Sequence, residues 1–109
     1  MKELTTQEEL DAAFQAGSAI LFKHSTHCPI SAMAHKEMES FVAAHPEAAF
    51  YKVDVHDQAD LSAAIGQRTG IQHESPQVIV LKDGKPQWDA SRFEINAASL
   101  DRQVSMMTD

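Results

Sequence analysis

Only one cysteine, Cys28, occurs in this chain of 109 residues. An intramolecular disulfide is therefore excluded, as is any metal site built from several thiolates. No apolar run approaches the roughly 20 residues that span a bilayer, so no membrane role is expected. The N-terminus, Met1-Lys2-Glu3-Leu4-Thr5-Thr6, lacks the basic start and apolar stretch of a signal peptide, and a cytoplasmic protein is expected. Lys and Arg number 9 against 16 Asp and Glu, a formal charge of −7. That balance argues against a general nucleic-acid binder, which needs a basic footprint. Repeats, low-complexity tracts and long linkers are absent, and the length supports one core, so a single domain over residues 1–109 is expected. Acid is also missing locally. Between Ala12 and Lys36 there is no Asp or Glu, while Lys23, His24, His27, His35 and Lys36 lie there, with the one cysteine among them.

What is present alternates between helical and extended patterns. Thr6-Gln7-Glu8-Glu9 has the form of a capping box, and Leu10, Ala13 and Phe14 then share a helical face up to a stop near Gly17. Ala19 to His24 is a short apolar run suited to a buried strand. From Pro29 to about His45, Ile30, Met33, Ala34, Met38, Phe41 and Val42 recur at amphipathic-helix spacing, and Pro46 prevents continuation. Phe50 to Val55 reads as a strand, and Asp57 as the cap of a helix carrying Leu61, Ala64 and Ile65 that stops at Gly70. Val78 to Leu81 forms another buried strand. Asp83-Gly84 accepts the positive φ angles of a tight hairpin leading to an edge strand over Pro86 to Ser91. The last helix is expected from Asn96, with Ile95 and Leu100 as a hydrophobic staple. The order α-β-α-β-α-β-β-α predicts an α/β fold: a mixed four-stranded sheet with helices on both faces.

The chemistry gathers where the first strand meets the long helix. Pro29 suits the first helical position because the N–H it lacks would be unused there. Cys28 then falls at the N-cap, with the N–H groups of Ile30 and Ser31 and the positive end of the helix dipole directed at its sulfur. These effects favour the thiolate, which is the nucleophilic form. Trp88, Met33, Met38, Met106 and Met107 need no role beyond packing, core filling and a mobile C-terminus.

Cys28-Pro29-Ile30-Ser31 between strand and helix resembles the active-site turn of the thioredoxin superfamily with its second cysteine replaced. Ser75-Pro76 resembles that superfamily's cis-proline element, and Gly84 its hairpin glycine. The stretch Lys23-His24-Ser25-Thr26-His27-Cys28-Pro29-Ile30-Ser31 points more narrowly to a family. Together with Thr69 to Gln77 and Lys82-Asp83-Gly84, it is similar to the YtxJ-type monothiol bacilliredoxins, over nearly the whole chain from Thr5 to about Val104. The resemblance implies a thioredoxin-like fold. It also implies removal of bacillithiol, a cysteine–glucosamine–malate thiol, from proteins carrying it as a mixed disulfide. Cys28 would be the nucleophile, flanked by Pro29 and by Ser31, which cannot resolve a disulfide. Ser75 and cis Pro76 would pair with an extended substrate, and Lys23 and His27 would lie on the substrate side, where basic groups suit the malate carboxylates. The implied partners are bacillithiolated client proteins and either free bacillithiol or a recycling reductase. No tightly bound cofactor or metal is implied, and a monomer suffices.

Three other readings of the same residues remain. His24, His27, Cys28 and His35 are chemically suited to zinc or copper but match no strong ligand spacing. An iron–sulfur carrier similar to the monothiol glutaredoxins is weakened by Pro29-Ile30, where that family has Gly-Phe. A non-catalytic thioredoxin-like module would have Cys28 modified by stress rather than used in turnover.

Overall fold

The computed structural model describes residues 1–108, without the side chains of Val104, Met106, Met107 and Thr108. The expectation for Met106 and Met107 thus lies outside the described residues. Among the described residues, five strands and four helices follow one another: β1 Lys2–Glu3, α1 Gln7–Gln15, β2 Ser18–His24, α2 Pro29–Ala44, β3 Phe50–Asp54, α3 Ala59–Thr69, β4 Gln77–Lys82, β5 Lys85–Ser91 and α4 Ala97–Thr108, with a 3-10 turn at Arg92–Glu94. The sheet order is β1-β3-β2-β4-β5. β2 pairs parallel with β3 and antiparallel with β4, which puts it at the centre of a mixed sheet.

The four-stranded expectation is corrected by β1. Lys2 and Glu3 pair in parallel with Tyr51 and Lys52, and Leu4 N–H donates to the Lys52 carbonyl at 2.9 Å. Two polar residues at a chain end carry no hydrophobic alternation. Only the exposed edge of β3 makes them a strand, by offering unpaired backbone groups.

Alternation along β2 divides its side chains between two cores. Ile20 and Phe22 pack with Ala34, Met38 and Phe41 of α2 and Leu100 of α4, while Ala19 and Leu21 pack with Leu10 and Phe14 of α1 and Leu61 and Ile65 of α3. Both faces of the sheet are therefore covered, which is why β2 and β4 read as continuous apolar runs.

The local signals place most ends as expected. Thr6 caps α1, its hydroxyl accepting from Glu9 N–H, but the Glu9 carboxylate turns to Thr5, so the box is not reciprocal. The hairpin turns through Asp83 (φ 52°) and Gly84 (φ 77°), and a Cβ on Gly84 would stand 3.0 Å from the Phe14 carbonyl oxygen. Asn96 caps α4 through Ser99 N–H, with Ile95 and Leu100 both buried as the staple. Asp57 does not cap α3. Gln58 takes that position without a side-chain bond, because Asp54 has already drawn the turn in by accepting from the N–H groups of His56 and Asp57 at 2.9 and 3.0 Å. Among the described residues no helix is long and apolar enough to cross a membrane.

Candidate active site at the start of α2

The end of β2 and the first turn of α2 are tied together before any chemistry is considered. His24 carbonyl accepts from Val55 N–H at 2.9 Å, holding the β2 end against the turn after β3. Ser25 N–H donates to the Ser31 hydroxyl at 3.1 Å, and the Ser25 hydroxyl accepts from His27 N–H at 3.2 Å. This clasp swings the chain from strand into helix and leaves Cys28 at the N-cap in extended conformation, with Pro29 inside the first turn.

Cys28 is free and half-exposed. The N–H groups of Ser31 and Ile30 hold its thiol below the ordinary thiol pKa; desolvation opposes them, and the Ser31 hydroxyl and the Arg92 charge act with them. The sulfur closes no cap hydrogen bond of normal geometry, so the N–H groups act as oriented dipoles at the positive end of α2. Because ionisation is favoured in the folded state, the stability linked to this thiol is absent below its titration range and grows as pH rises through it.

Ser31 is 1% exposed and serves the clasp first. Ser31→Ala leaves the Ser25 N–H buried without an acceptor, which costs about 1–3 kcal/mol. Thiol transfer should nevertheless persist, since the helix N–H groups remain. Urea unfolding alongside a transfer assay checks both halves, and loss of transfer at unchanged stability would contradict the assignment.

Arg92 is the residue that sequence reasoning missed. It follows β5 with φ 53°, its N–H donates to the Pro76 carbonyl at 2.9 Å, and its side chain stands 3.5 Å from Glu74. No local pattern marks it, because only the fold carries the end of β5 to the Ser75–Pro76 peptide, which is cis. Arg92→Gln removes a positive charge acting on the sulfur, so the Cys28 titration midpoint should move up. Thiolate absorbance followed against pH measures this, and an unmoved midpoint would remove Arg92 from the site.

The other expected residues divide. Pro76 is buried at the head of β4, and Ser75 is half-buried with its hydroxyl lacking a partner. His27 is exposed, its ring edge-on to His56 at 5.6 Å. Lys23 is 0% exposed, on the α3 side of β2, and its ammonium has no partner; burial alone lowers its pKa to about 8. His24 faces the opposite side, stacked on Phe22 and beside His35, which pairs with Glu39 at 2.8 Å. Burial lowers the His24 pKa against the pull of Asp54. The histidines near Cys28 in sequence thus do not share one face. Among the described residues, no group of three or more His, Cys, Asp or Glu is placed to hold a metal ion.

Met33 corrects the core-filling expectation: it is 62% exposed. With Ile30, Arg92 and Phe93, itself 74% exposed, it lines a shallow groove beside the helix start. Met38 does fill the core, and Trp88 is half-buried against it.

Comparison with known proteins gives this geometry its context. A solved structure described as a candidate oxidoreductase with a thioredoxin fold matches with a TM-score of 0.86 at 28% identity, covering 93% of this chain and 90% of its own. Mitochondrial thioredoxin 3 from Saccharomyces cerevisiae matches with a TM-score of 0.78 at 18% identity, covering 97% and 94%. Fasciola hepatica thioredoxin gives 0.77 at 21%, covering 98% and 99%. The fold is therefore thioredoxin-like. The model of the family described as monothiol bacilliredoxin BrxC matches residues 2–100, from the edge strand to the first turn of α4, and the chain belongs to that family.

Proposed function

We propose that the protein is a monothiol thiol–disulfide oxidoreductase that removes bacillithiol from client proteins. The observation that carries this reading is a half-exposed thiol held toward its thiolate at the start of α2, with a serine, buried and engaged in the clasp, where a second cysteine would be needed to resolve a disulfide. Family membership supports bacillithiol as the thiol concerned.

In the reaction, the Cys28 thiolate attacks the bacillithiol sulfur of a client–bacillithiol mixed disulfide. A new S–S bond forms between Cys28 and bacillithiol, the old one breaks, and the client leaves as a thiolate that takes a proton from water. An external thiol, either free bacillithiol or a recycling reductase, then reduces the adduct and restores Cys28. Pro29 starts the helix and keeps the N–H dipoles aimed at the sulfur. The Ser75 backbone beside cis Pro76 offers an edge for an extended substrate, and His27, exposed one residue before Cys28, would meet it, whereas Lys23, expected there too, is fully buried under α3. Arg92 favours the attacking thiolate. Bacillithiol acts as co-substrate, and one copy of the chain suffices because the chemistry uses one sulfur.

Intact-mass measurement after exposure to a bacillithiolated client should show one bacillithiol on Cys28 and a freed client thiol. A client that stays modified would overturn the reading. Equal rates with a glutathionylated client would keep the exchange and discard the bacillithiol preference.

A further inference from the structure

Two apolar side chains stand in water next to the reacting sulfur. Among the described residues, Met33 and Phe93 are the large hydrophobic side chains left exposed, and both line the groove beside the start of α2. Single apolar residues scattered over a surface are ordinary, but two that line one groove mark a contact surface. Phe93 is also held outward. The turn that carries it begins at Arg92 with φ 53°, a backbone angle that residues other than glycine rarely adopt. That turn is fixed on both sides. Arg92 N–H donates to the Pro76 carbonyl at 2.9 Å, Ser91 N–H to the Glu94 carboxylate at 3.0 Å, and Ile95 N–H to the Arg92 carbonyl at 3.1 Å, with Ile95 buried.

The groove holds about 160 Å³, too little for a whole organic ligand and enough for a side chain. Ile30, Ala34 and Ile95 complete its apolar lining. Met33 is unbranched and adapts to apolar shapes of different outline. The two ends of the groove differ in charge. Arg92 belongs to the end near Cys28, whose sulfur feels both the Ile30 N–H and the Arg92 charge. Glu37 lies about 10 Å beyond Ile30 along α2, at 1.5 Å per residue. It is also a wall of the next depression along α2, which contains Asp101 paired with His45. The far end is therefore acidic.

We infer that this groove takes the client's own chain, as a segment with an apolar residue about two positions, and a Lys or Arg about four positions, from the modified cysteine. The inference rests on the exchange reading above and names the client chemistry that reading leaves open. When the Cys28 thiolate attacks the bacillithiol sulfur, the client sulfur leaves from two S–S bond lengths away, on the order of 4 Å. Every protein client therefore brings its chain to the mouth of the groove. Along α2, Met33 and Glu37 lie about 7 and 13 Å beyond Cys28. An extended chain covers those distances in about two and four residues, at roughly 3.3 Å each. One flank of the client can then follow the Ser75 edge while the other follows the groove, and Arg92 joins the two surfaces through its bond to Pro76.

The test uses the whole protein and bacillithiolated peptides that are symmetrical about the cysteine, so that chain direction is immaterial. The reference peptide has leucine at the second and lysine at the fourth position on each side; its relatives carry serine for leucine or glutamate for lysine. Transfer of bacillithiol to Cys28, followed by intact mass, should be roughly tenfold faster with leucine than with serine. Lysine should be preferred to glutamate by about threefold, the factor of an exposed ion pair. Phe93→Ser, at a position facing solvent, should lower the leucine preference to about twofold or less. Glu37→Lys, also at an exposed position, should reverse the charge preference. Thermal melting verifies that both variants are folded. Absence of either preference in the unaltered protein, or a preference that survives in its variant, overturns the inference and leaves the exchange reading standing. A dimer in sedimentation that Phe93→Ser dissociates would assign the groove to a second copy and overturn it equally. No transfer from any peptide, nor from the disulfide of bacillithiol itself, overturns the exchange reading and this inference with it.

Discussion

Replacing Cys28 with alanine should reduce transfer of bacillithiol to the uncatalysed background, with no adduct on the protein by intact mass. No other thiol exists in the chain, so nothing can take over the attack. Cys28→Ser is the sharper variant. Serine is among the preferred N-cap residues, and its hydroxyl can accept from the second- or third-residue N–H of α2. That protein should therefore be at least as stable as the parent and equally inactive, because a serine hydroxyl stays protonated where the thiol ionises. Inactivity without unfolding separates chemistry from structure at this position. Residual turnover in either variant would mean that Cys28 is not the nucleophile.

The largest expected loss of stability comes from Phe22→Ala. Phe22 is fully buried on the central strand and packs with Ile20, Ala34, Met38 and Phe41 on the α2 face. Emptying such a site costs about 3–5 kcal/mol, through lost transfer energy and the cavity left behind. Against a typical total of about 5–15 kcal/mol, that is a large fraction of the protein's stability. Urea unfolding should show a much lower midpoint with an unchanged slope. The active site should loosen as well, since Phe22 supports the stacked ring of His24 at 5.5 Å, one residue before the Ser25 clasp. A loss below about 1 kcal/mol would mean that α2 collapses onto the gap more freely than close packing allows.

Much of this site was legible from local chemistry. A cysteine before proline after a buried strand specifies an N-cap thiol, because the proline is tolerated only where the helix needs no N–H, and the strand end determines where that helix can begin. The Asp83-Gly84 hairpin, the Asn96 cap and its Ile95–Leu100 staple are equally local, each set by residues within a few positions of one another. Asp57 misled because Asp54, three residues earlier, had the better geometry for the same backbone donors. Met33 misled because it lies at core spacing on α2, and spacing alone does not reveal that this stretch faces the groove beside Arg92.

Sequence by itself determined the alternation of elements, the thiol's place at a helix start and the monothiol character, since each depends on residue type and short-range geometry. Tertiary structure alone decided the rest. β1 exists because β3 has an open edge, not because Lys2 and Glu3 favour extension. The Arg92 charge acts on Cys28 because β5 returns its end to Pro76, across a sequence distance that no periodicity records. Lys23 is buried because β2 runs between two layers of helix, which turns a residue of surface character into an interior charge. In each case the deciding quantity is a long-range pairing or a burial, and these arise only when distant segments exclude water together.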